Sequence, residues 1–334
     1  MKDDLIESIL RTTRNYSMLR SGDVVLAAVS GGSDSVYMLN ALLKLKNKFK
    51  IKEVIVCNMD HGLRGKESKE DSLFVKKLAG QLGLKFIHKK LALKGKRHKE
   101  LSPEEMAREK RYDFFKKAAR AAGANVVATG HTLDDQAETV LMRLIKGSSL
   151  KGIVGISPVR EESGIRFIRP LIELEKAQIM RCLEISGAKH RVDKTNFEDI
   201  YFRNIVRDKI IPFLEKYNPR LKRVLSNLAE HLREDFEFIT DAKDEAARRT
   251  IKSDGKSVKI DLRDIIVQPR AIQKEILRDM LDKSGGLVKK LSFRHWKEME
   301  ALIRNKEKGK SVDLPGGIRI TKTDRSLIFA GTRA

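Results

Sequence analysis

Six consecutive apolar residues, Val24-Val25-Leu26-Ala27-Ala28-Val29, run straight into Ser30-Gly31-Gly32-Ser33-Asp34-Ser35 and then into an amphipathic stretch over residues 36–45. An apolar run this short, followed at once by turn residues, reads as a buried strand, and the stretch beyond it as a helix packed on that strand. Such a strand, tight loop and helix form the unit from which open α/β sheets are assembled. Two adjacent glycines let the backbone turn sharply and approach an anion, while serine hydroxyls and the free N–H groups at the helix start can donate to phosphate oxygens. The loop therefore reads as a phosphate cradle, with an ordinary Ser- and Gly-rich capped turn as the plainer alternative. It lacks the Gly-Lys-Ser/Thr ending of Walker-type loops and the GxGxxG spacing of dinucleotide sites.

The same alternation repeats downstream. A second strand over 53–59 ends in Asp60-His61-Gly62-Leu63-Arg64-Gly65, a helix over 67–81 leads to a third strand over 85–88, and a fourth at 125–128 ends in Thr129-Gly130-His131. Polar residues just beyond strand ends stand where open sheets bind ligands, which makes Asp60, His61, Gly130 and His131 candidates beside the loop. Ser102-Pro103-Glu104-Glu105 is a capping-box start for a helix reaching Ala122. Within it, Arg108 and Arg111 share a face, suited either to surface pairing with Glu104 and Glu105 or to a phosphate or carboxylate. In the helix after the fourth strand, Asp134, Asp135 and Glu138 gather acid in the first turns, while Val140, Leu141, Leu144 and Ile145 mark the core face. Part of that acid compensates the helix dipole. A carboxylate pair at a ligand edge also suits a cation, whether an amino group or a metal.

Composition enters through charge. The chain of 334 residues carries a formal net charge of +23, with both halves net positive, so its expected partner is a polyanion, foremost nucleic acid. The run over 89–99, with Lys94, Lys96 and Arg97 at its centre, is a solvated loop or a phosphate-contacting segment. Cys57 and Cys182 stand far apart and outside any CxxC pair, which disfavours a disulfide framework, a zinc site or a sulfur relay. The acidic start is unlike a signal peptide, and no apolar run approaches the ~20 residues of a membrane span. A soluble cytoplasmic protein without membrane attachment is expected.

Ser-Gly-Gly-x-Asp-Ser resembles the pyrophosphate loop of N-type ATP pyrophosphatases, enzymes that split ATP into AMP and pyrophosphate. Taken with Asp60-His61-Gly62-Leu63-Arg64, Ala107-Arg108, Arg111-Tyr112, Thr129-Gly130-His131 and Asp134-Asp135-Gln136-Ala137-Glu138-Thr139, it resembles bacterial tRNA(Ile)-lysidine synthetases. Arg169-Pro170-Leu171, Asp193-Lys194-Thr195-Asn196 and Arg203-Asn204-Ile205-Val206-Arg207 continue the likeness in order, so it covers residues 20 to about 210 strongly. One departure is Thr132, where many members have a second histidine.

The resemblance implies an activity. ATP adenylates the C2 oxygen of the wobble cytidine in a CAU-anticodon isoleucine tRNA; the ε-amino group of L-lysine then displaces AMP. Codon reading thereby changes from AUG to AUA. By position, Ser30, Gly31, Gly32, Ser33, Asp34 and Ser35 would hold ATP with Asp60, His61, Gly130 and His131, Asp34 also binding Mg²⁺. Arg111, Asp135 and Glu138 would hold lysine, Arg203 would stabilise developing phosphate charge, and Arg108, Lys94, Lys96, Arg97 and Arg207 would meet tRNA.

The expected fold is an open parallel sheet with helices on both faces, followed by a smaller, mainly helical α+β domain. Residues 1–212 would form the catalytic domain, 213–252 a long bridging helix and 253–334 a tRNA-binding domain. In that last part strands are expected at 258–262, 311–314 and 318–321, and Trp296 and Phe293 read as core more readily than as base-stacking residues. The chain's end at Ala334 implies a short form of the family, with a homodimer as the assembly to test. Three other classes share features: a sulfur-inserting tRNA enzyme, which would want a catalytic cysteine pair; a small-molecule amidating ligase; and a non-catalytic tRNA-binding protein.

Overall fold

The computed structural model describes residues 2–60, 66–90, 103–191, 201–253, 258–304 and 307–331. The chain divides into two compact units, Met1–Glu230 and His231–Ala334.

In the first unit, α1 (Lys2–Asn15) precedes β1 (Val24–Ala28), α2 (Ser33–Leu45), β2 (Glu53–Asp60), α3 (Lys66–Gln81), β3 (Phe86–Lys90), α4 (Pro103–Ala121), β4 (Val126–Ala128) and α5 (Leu133–Lys146). Then come α6 (Leu150–Ile153), β5 (Val159–Glu162), β6 (Ile165–Ile168), α7 (Lys176–Ser186), α8 (Tyr201–Ile205), a π-helical turn (Val206–Ile210) and α9 (Ile211–Glu215). The strands pair in the order β3-β2-β1-β4-β6-β5, parallel except for β5, which runs antiparallel along β6. β1 is paired in parallel on both sides, Val25 lying opposite Val54 of β2 and Val126 of β4. The chain first builds outward from β1 through β2 and β3, then returns to the other side with β4. The crevice between the carboxyl ends of β1 and β4 is thus the topological switch point, where doubly wound sheets bind ligands.

Alternation along the strands sends neighbours to opposite faces, and both faces are buried, which is why β1 reads as an unbroken apolar run. Val25, Ala27, Val54, Val56, Val126 and Ala128 pack with α1, α2, α3 and α7. Leu26, Ile55, Cys57, Val127 and Phe167 pack with Tyr112, Phe114, Phe115, Ala118 and Ala119 of α4. A third cluster, Ala137, Val140 and Leu141 of α5 with Val206, Ile211, Leu225 and Ala229, seats the π-helical turn on α5. That turn has a local cause. The N–H of Ile211 reaches back to the carbonyl of Val206, and Pro212 has no N–H with which to continue a regular ladder.

The hairpin β5–β6 was not foreseen. Val159-Arg160-Glu161-Glu162 has the polarity of a loop, and only its pairing makes it a strand: a charged edge that closes the sheet.

The long helix predicted over 213–252 is α10 (Leu221–Thr250), about 45 Å long at the α-helical rise, with Ile211–Glu215 forming the separate α9. The two compact units divide within it. In the second unit follow β7 (Ile251–Ser253), β8 (Val258–Asp261), α11 (Leu262–Ile266), α12 (Arg270–Lys283), α13 (Phe293–Arg304), β9 (Ser311–Leu314), β10 (Ile318–Lys322) and β11 (Ser326–Gly331). The strands form one antiparallel sheet in the order β7-β8-β11-β10-β9, so β7 and β11 add to the three expected strands. Ile276, Met280, Met299, Leu302, Ile320 and Phe329 are among its buried core. Trp296 packs at the edge of that core with Lys274 and Arg278 over its ring, whereas Phe293 is exposed.

Candidate active site

After β1 the chain enters the glycine loop. Gly31 takes φ +100°, a conformation open to glycine, and α2 begins at Ser33 with Gly32 as N-cap and no side chain capping its first N–H groups. Those groups at the positive end of a 13-residue helix form an anion-binding terminus. The loop is held from inside by Ser35, whose Oγ accepts from the N–H groups of Ser30 (3.2 Å) and Gly31 (3.3 Å) and donates to the Gly32 carbonyl (2.9 Å). Its hydroxyl faces the loop backbone; Ser33 Oγ donates to Asp34 at 3.1 Å. From outside, the Arg191 N–H donates to the Gly31 carbonyl at 2.9 Å, and the Arg191 guanidinium reaches Asp71 (2.8 Å) and Glu70 (2.9 Å) of α3.

Gly130 lies against the same loop. A Cβ there would stand 3.1 Å from the carbonyl carbon of Asp34 and the nitrogen of Ser35, so glycine lets the end of β4 lie against the start of α2 without displacing that backbone by a few tenths of an ångström. Beyond it, His131 Nδ1 and Thr129 Oγ1 share a hydrogen bond of 2.9 Å. Burial of the ring pushes the His131 pKa down to about 4, so the imidazole is neutral at pH 7.

Three aspartates converge here. Burial raises the Asp34 carboxyl above its ordinary range; Lys176, 3.9 Å away, opposes the rise, and Asp135 and Asp134 add to it. Asp135 completes a capping box on α5, accepting from the Thr132 N–H (3.0 Å) and Oγ1 (3.1 Å). Burial would raise Asp135, but the His131 ring, the Thr132 hydrogen bonds and the Arg203 guanidinium outweigh it and hold its carboxyl low. Asp134 accepts from the Lys176 N–H at 2.7 Å and pairs with Lys222 at 2.9 Å.

Glu138, one turn along α5 and 2% exposed, is met by two guanidiniums. Arg207 binds both its oxygens at 2.6 and 3.0 Å, and Arg203 Nε lies 3.0 Å away. Arg203 also donates to Thr139 Oγ1 at 3.1 Å. Asp135 and Glu138 therefore occupy neighbouring turns with different partners, one held by its own helix cap and one by the segment around the π-helical turn.

Around the same crevice stand guanidinium groups, of which sequence reasoning gave roles to Arg108 and Arg111 but none to Arg160 or Arg169. Arg108 stands over the Tyr112 ring at 5.4 Å and Arg160 at 4.9 Å. Arg169, 2% exposed, donates to the Tyr112 hydroxyl at 3.3 Å and the Phe167 carbonyl at 3.2 Å, and its Nε has no hydrogen-bond partner. Burial of Tyr112 disfavours its anion, but Arg169, Arg108 and Arg160 outweigh that and make the phenol more acidic. The charges of Arg169, Arg108 and Arg111 also bear on His131, which brings Arg111 of α4 to the same crevice. The available signal was Arg169-Pro170-Leu171, an arginine directly following the buried strand β6.

Asp60 is buried at the end of β2. His61, Lys94, Lys96 and Arg97, together with the 193–196 motif, lie outside the described residues. Both cysteines are free and buried, and burial pushes the Cys57 thiol up to about 12. Among the described residues no group of three or more His, Cys, Asp or Glu is arranged to hold a metal, and no helix is long and apolar enough to cross a membrane.

Comparison with known proteins agrees with this geometry. The PP-loop domain family matches residues 3–214. A tRNA(Ile)-lysidine synthase of Caldanaerobacter subterraneus subsp. tengcongensis is 33% identical over 97% of this chain and 69% of its own length. That of Clostridioides difficile is 32% identical over 97% of this chain and 70% of its own. The chain thus spans about seven tenths of these relatives. Among solved structures, the U34-tRNA thiolase of Methanococcus maripaludis, which carries an iron–sulfur cluster, superposes with a TM-score of 0.58 at 22% identity. The match covers 70% of this chain and 80% of that one, a likeness of fold. The match of the PP-loop model over the whole switch-point domain, and of the lysidine synthases over nearly the full chain, shows that this chain belongs to the tRNA(Ile)-lysidine synthase family of ATP-dependent ligases.

Proposed function

We propose that the chain joins L-lysine to C2 of the wobble cytidine in an isoleucine tRNA with a CAU anticodon, through an adenylated tRNA. The C2 oxygen attacks the α-phosphorus of ATP and pyrophosphate leaves. The ε-amino group of lysine, having lost a proton, then attacks C2, and AMP departs with the former carbonyl oxygen. The observation that supports this reading is the composition of one crevice: an uncapped helix start behind Ser30–Ser35, three aspartates beside it, and guanidiniums acting on the same His131 as Asp135.

In this reading the loop Ser30, Gly31, Gly32 and Ser33 lays the phosphates on the uncapped N–H groups at the start of α2, Ser35 keeps the loop in shape, and Gly130 and His131 border the nucleotide. A neutral His131 neither repels Mg²⁺ nor competes with it. Asp34 would hold Mg²⁺; one carboxylate oxygen beside a phosphate cradle fits an ion that takes most remaining ligands from phosphate and water. Bound there, the ion would neutralise charge on the leaving pyrophosphate.

Asp135, Glu138 and Arg111 would bind lysine. Glu138 already balances two guanidiniums, so a lysine ammonium arriving there would displace one of them. That would leave Arg203 free to turn toward phosphate, where developing charge needs it. Arg108, Arg207, Lys94, Lys96 and Arg97, with residues 253–334, would meet the RNA backbone. The decisive measurement is mass analysis of the wobble cytidine after incubation with tRNA, ATP, Mg²⁺ and lysine. A gain of lysine minus water is expected, and an unmodified base would overturn the reading.

A further inference from the structure

Most aromatic rings of the first unit are buried or half-buried, but Phe213 and Tyr217 are 54% and 77% exposed. Their ring centroids are 5.5 Å apart with planes at 66°, and the Tyr217 N–H donates to the Leu214 carbonyl at 3.0 Å where α9 ends. Lys209, Lys216, Arg220 and Arg223, close to them in sequence, are exposed and make no side-chain ion pair among the described residues. Lys222 is different: its ammonium lies 2.9 Å from Asp134 and 3.5 Å from Glu215. This link ties the aromatic segment to the first turn of α5, beside the acids of the crevice.

An open π-surface among unpaired cations is complementary to single-stranded RNA, whose bases stack on aromatic rings while its phosphates meet lysine and arginine. A second copy of the chain is a poor occupant, because a symmetric contact through this patch would press two sets of cations together. We infer that Phe213 and Tyr217 form a stacking platform for an unpaired nucleobase of the tRNA substrate, next to the nucleotide being modified. The inference rests on the functional reading above and adds to it a site for a second base.

The test uses the full chain and an RNA hairpin bearing a CAU anticodon loop, with 2-aminopurine replacing loop bases beside the wobble cytidine in turn. Wild-type protein should quench one of these probes. The double substitution Phe213→Ala/Tyr217→Ala should abolish that quenching and weaken binding about tenfold at every salt concentration. The slope of affinity against salt should stay the same, because no phosphate contact is lost. Phe213→Leu/Tyr217→Leu, which keeps apolar bulk without rings, should behave like the alanine pair, with melting temperatures confirming that all forms are folded. Unchanged quenching and affinity in the alanine pair, wild-type binding by the leucine pair, or a wild-type dimer dissociated by either pair would overturn the platform. A wild-type protein that fails to bind the hairpin would instead overturn the functional reading itself.

Discussion

The two walls of the crevice are built in different ways. The wall of Ser30–Ser35 and Gly130 is made of backbone: its donors are N–H groups, its shape depends on two glycines, and its one inward side chain, Ser35, braces the loop. The wall of Arg108, Arg160, Arg169, Arg203 and Arg207 is made of side chains sent from four separate parts of the chain. A backbone wall leaves little room at Gly130, where an added Cβ must displace backbone by a few tenths of an ångström. A side-chain wall can exchange partners, as Glu138 with two guanidiniums illustrates.

Substitutions should separate the two. The largest effect is expected from Asp34→Ala, which should abolish ATP-dependent modification while tRNA affinity in filter binding stays within a few fold. A parallel loss of RNA affinity would mean that the loop wall also carries RNA. Next, Gly130→Ala must push the start of α2 aside, since its Cβ would stand 3.1 Å from backbone atoms. Pyrophosphate release should fall about tenfold, because the shift needed is a few tenths of an ångström rather than the about 1 Å that costs about a hundredfold. Near-normal release would show that the backbone wall can yield after all.

On the side-chain wall, Glu138→Gln leaves Arg203 and Arg207 facing a buried amide. Unfolding stability should drop by about 3 kcal/mol, measured by denaturant titration. Asp135→Asn keeps the Glu138 pairs intact and should raise the lysine KM more than it affects stability. Equal and small effects of both would return the two residues to helix-dipole compensation.

The effect that is smallest at neutral pH, and grows only on acidification, is a pH dependence. The folded-state pKa of His131, about 4, lies below its ordinary 6.5, so between these values the unfolded chain binds more protons. Stability should therefore fall as pH drops from 6.5 toward 4, and His131→Asn should remove that contribution. Asp34, whose carboxyl is raised, works with the opposite sign, so the informative quantity is the difference between wild type and His131→Asn.

The backbone wall was legible because it is local: an apolar run, two glycines and a helix start lie within 22 residues, at 24–45. Gly130 and His131 were legible as positions after a strand, although the contact that makes Gly130 necessary was not. The arginine wall was only partly legible. Arg108, Arg203 and Arg207 stood in motifs, but no spacing reveals that Arg160, on a strand with the polarity of a loop, lies over the same tyrosine as Arg108. Nor did helical periodicity show that Asp135 would serve as a cap, since that depends on the backbone angle at Thr132. In the second unit β7 and β11 were missed, although β11 supplies Leu327 and Phe329 to the core.

The π-helical turn before Pro212 also has a consequence for tolerance to length changes. Such a turn holds one residue more than the α-helix it interrupts, so removing a single residue from Val206–Ile210 would let the helix close into regular phase. The turns on either side already stand in the phase of a continuous α-helix, so Arg203 and Ile211, which is anchored against α5, would keep their faces. A further inserted residue has no such outlet: it would rotate everything on its amino-terminal side by about 100° about the axis and take Arg203 away from Glu138 while the segment stayed helical. The segment between Arg203 and Pro212 therefore tolerates the loss of a residue better than the gain of one.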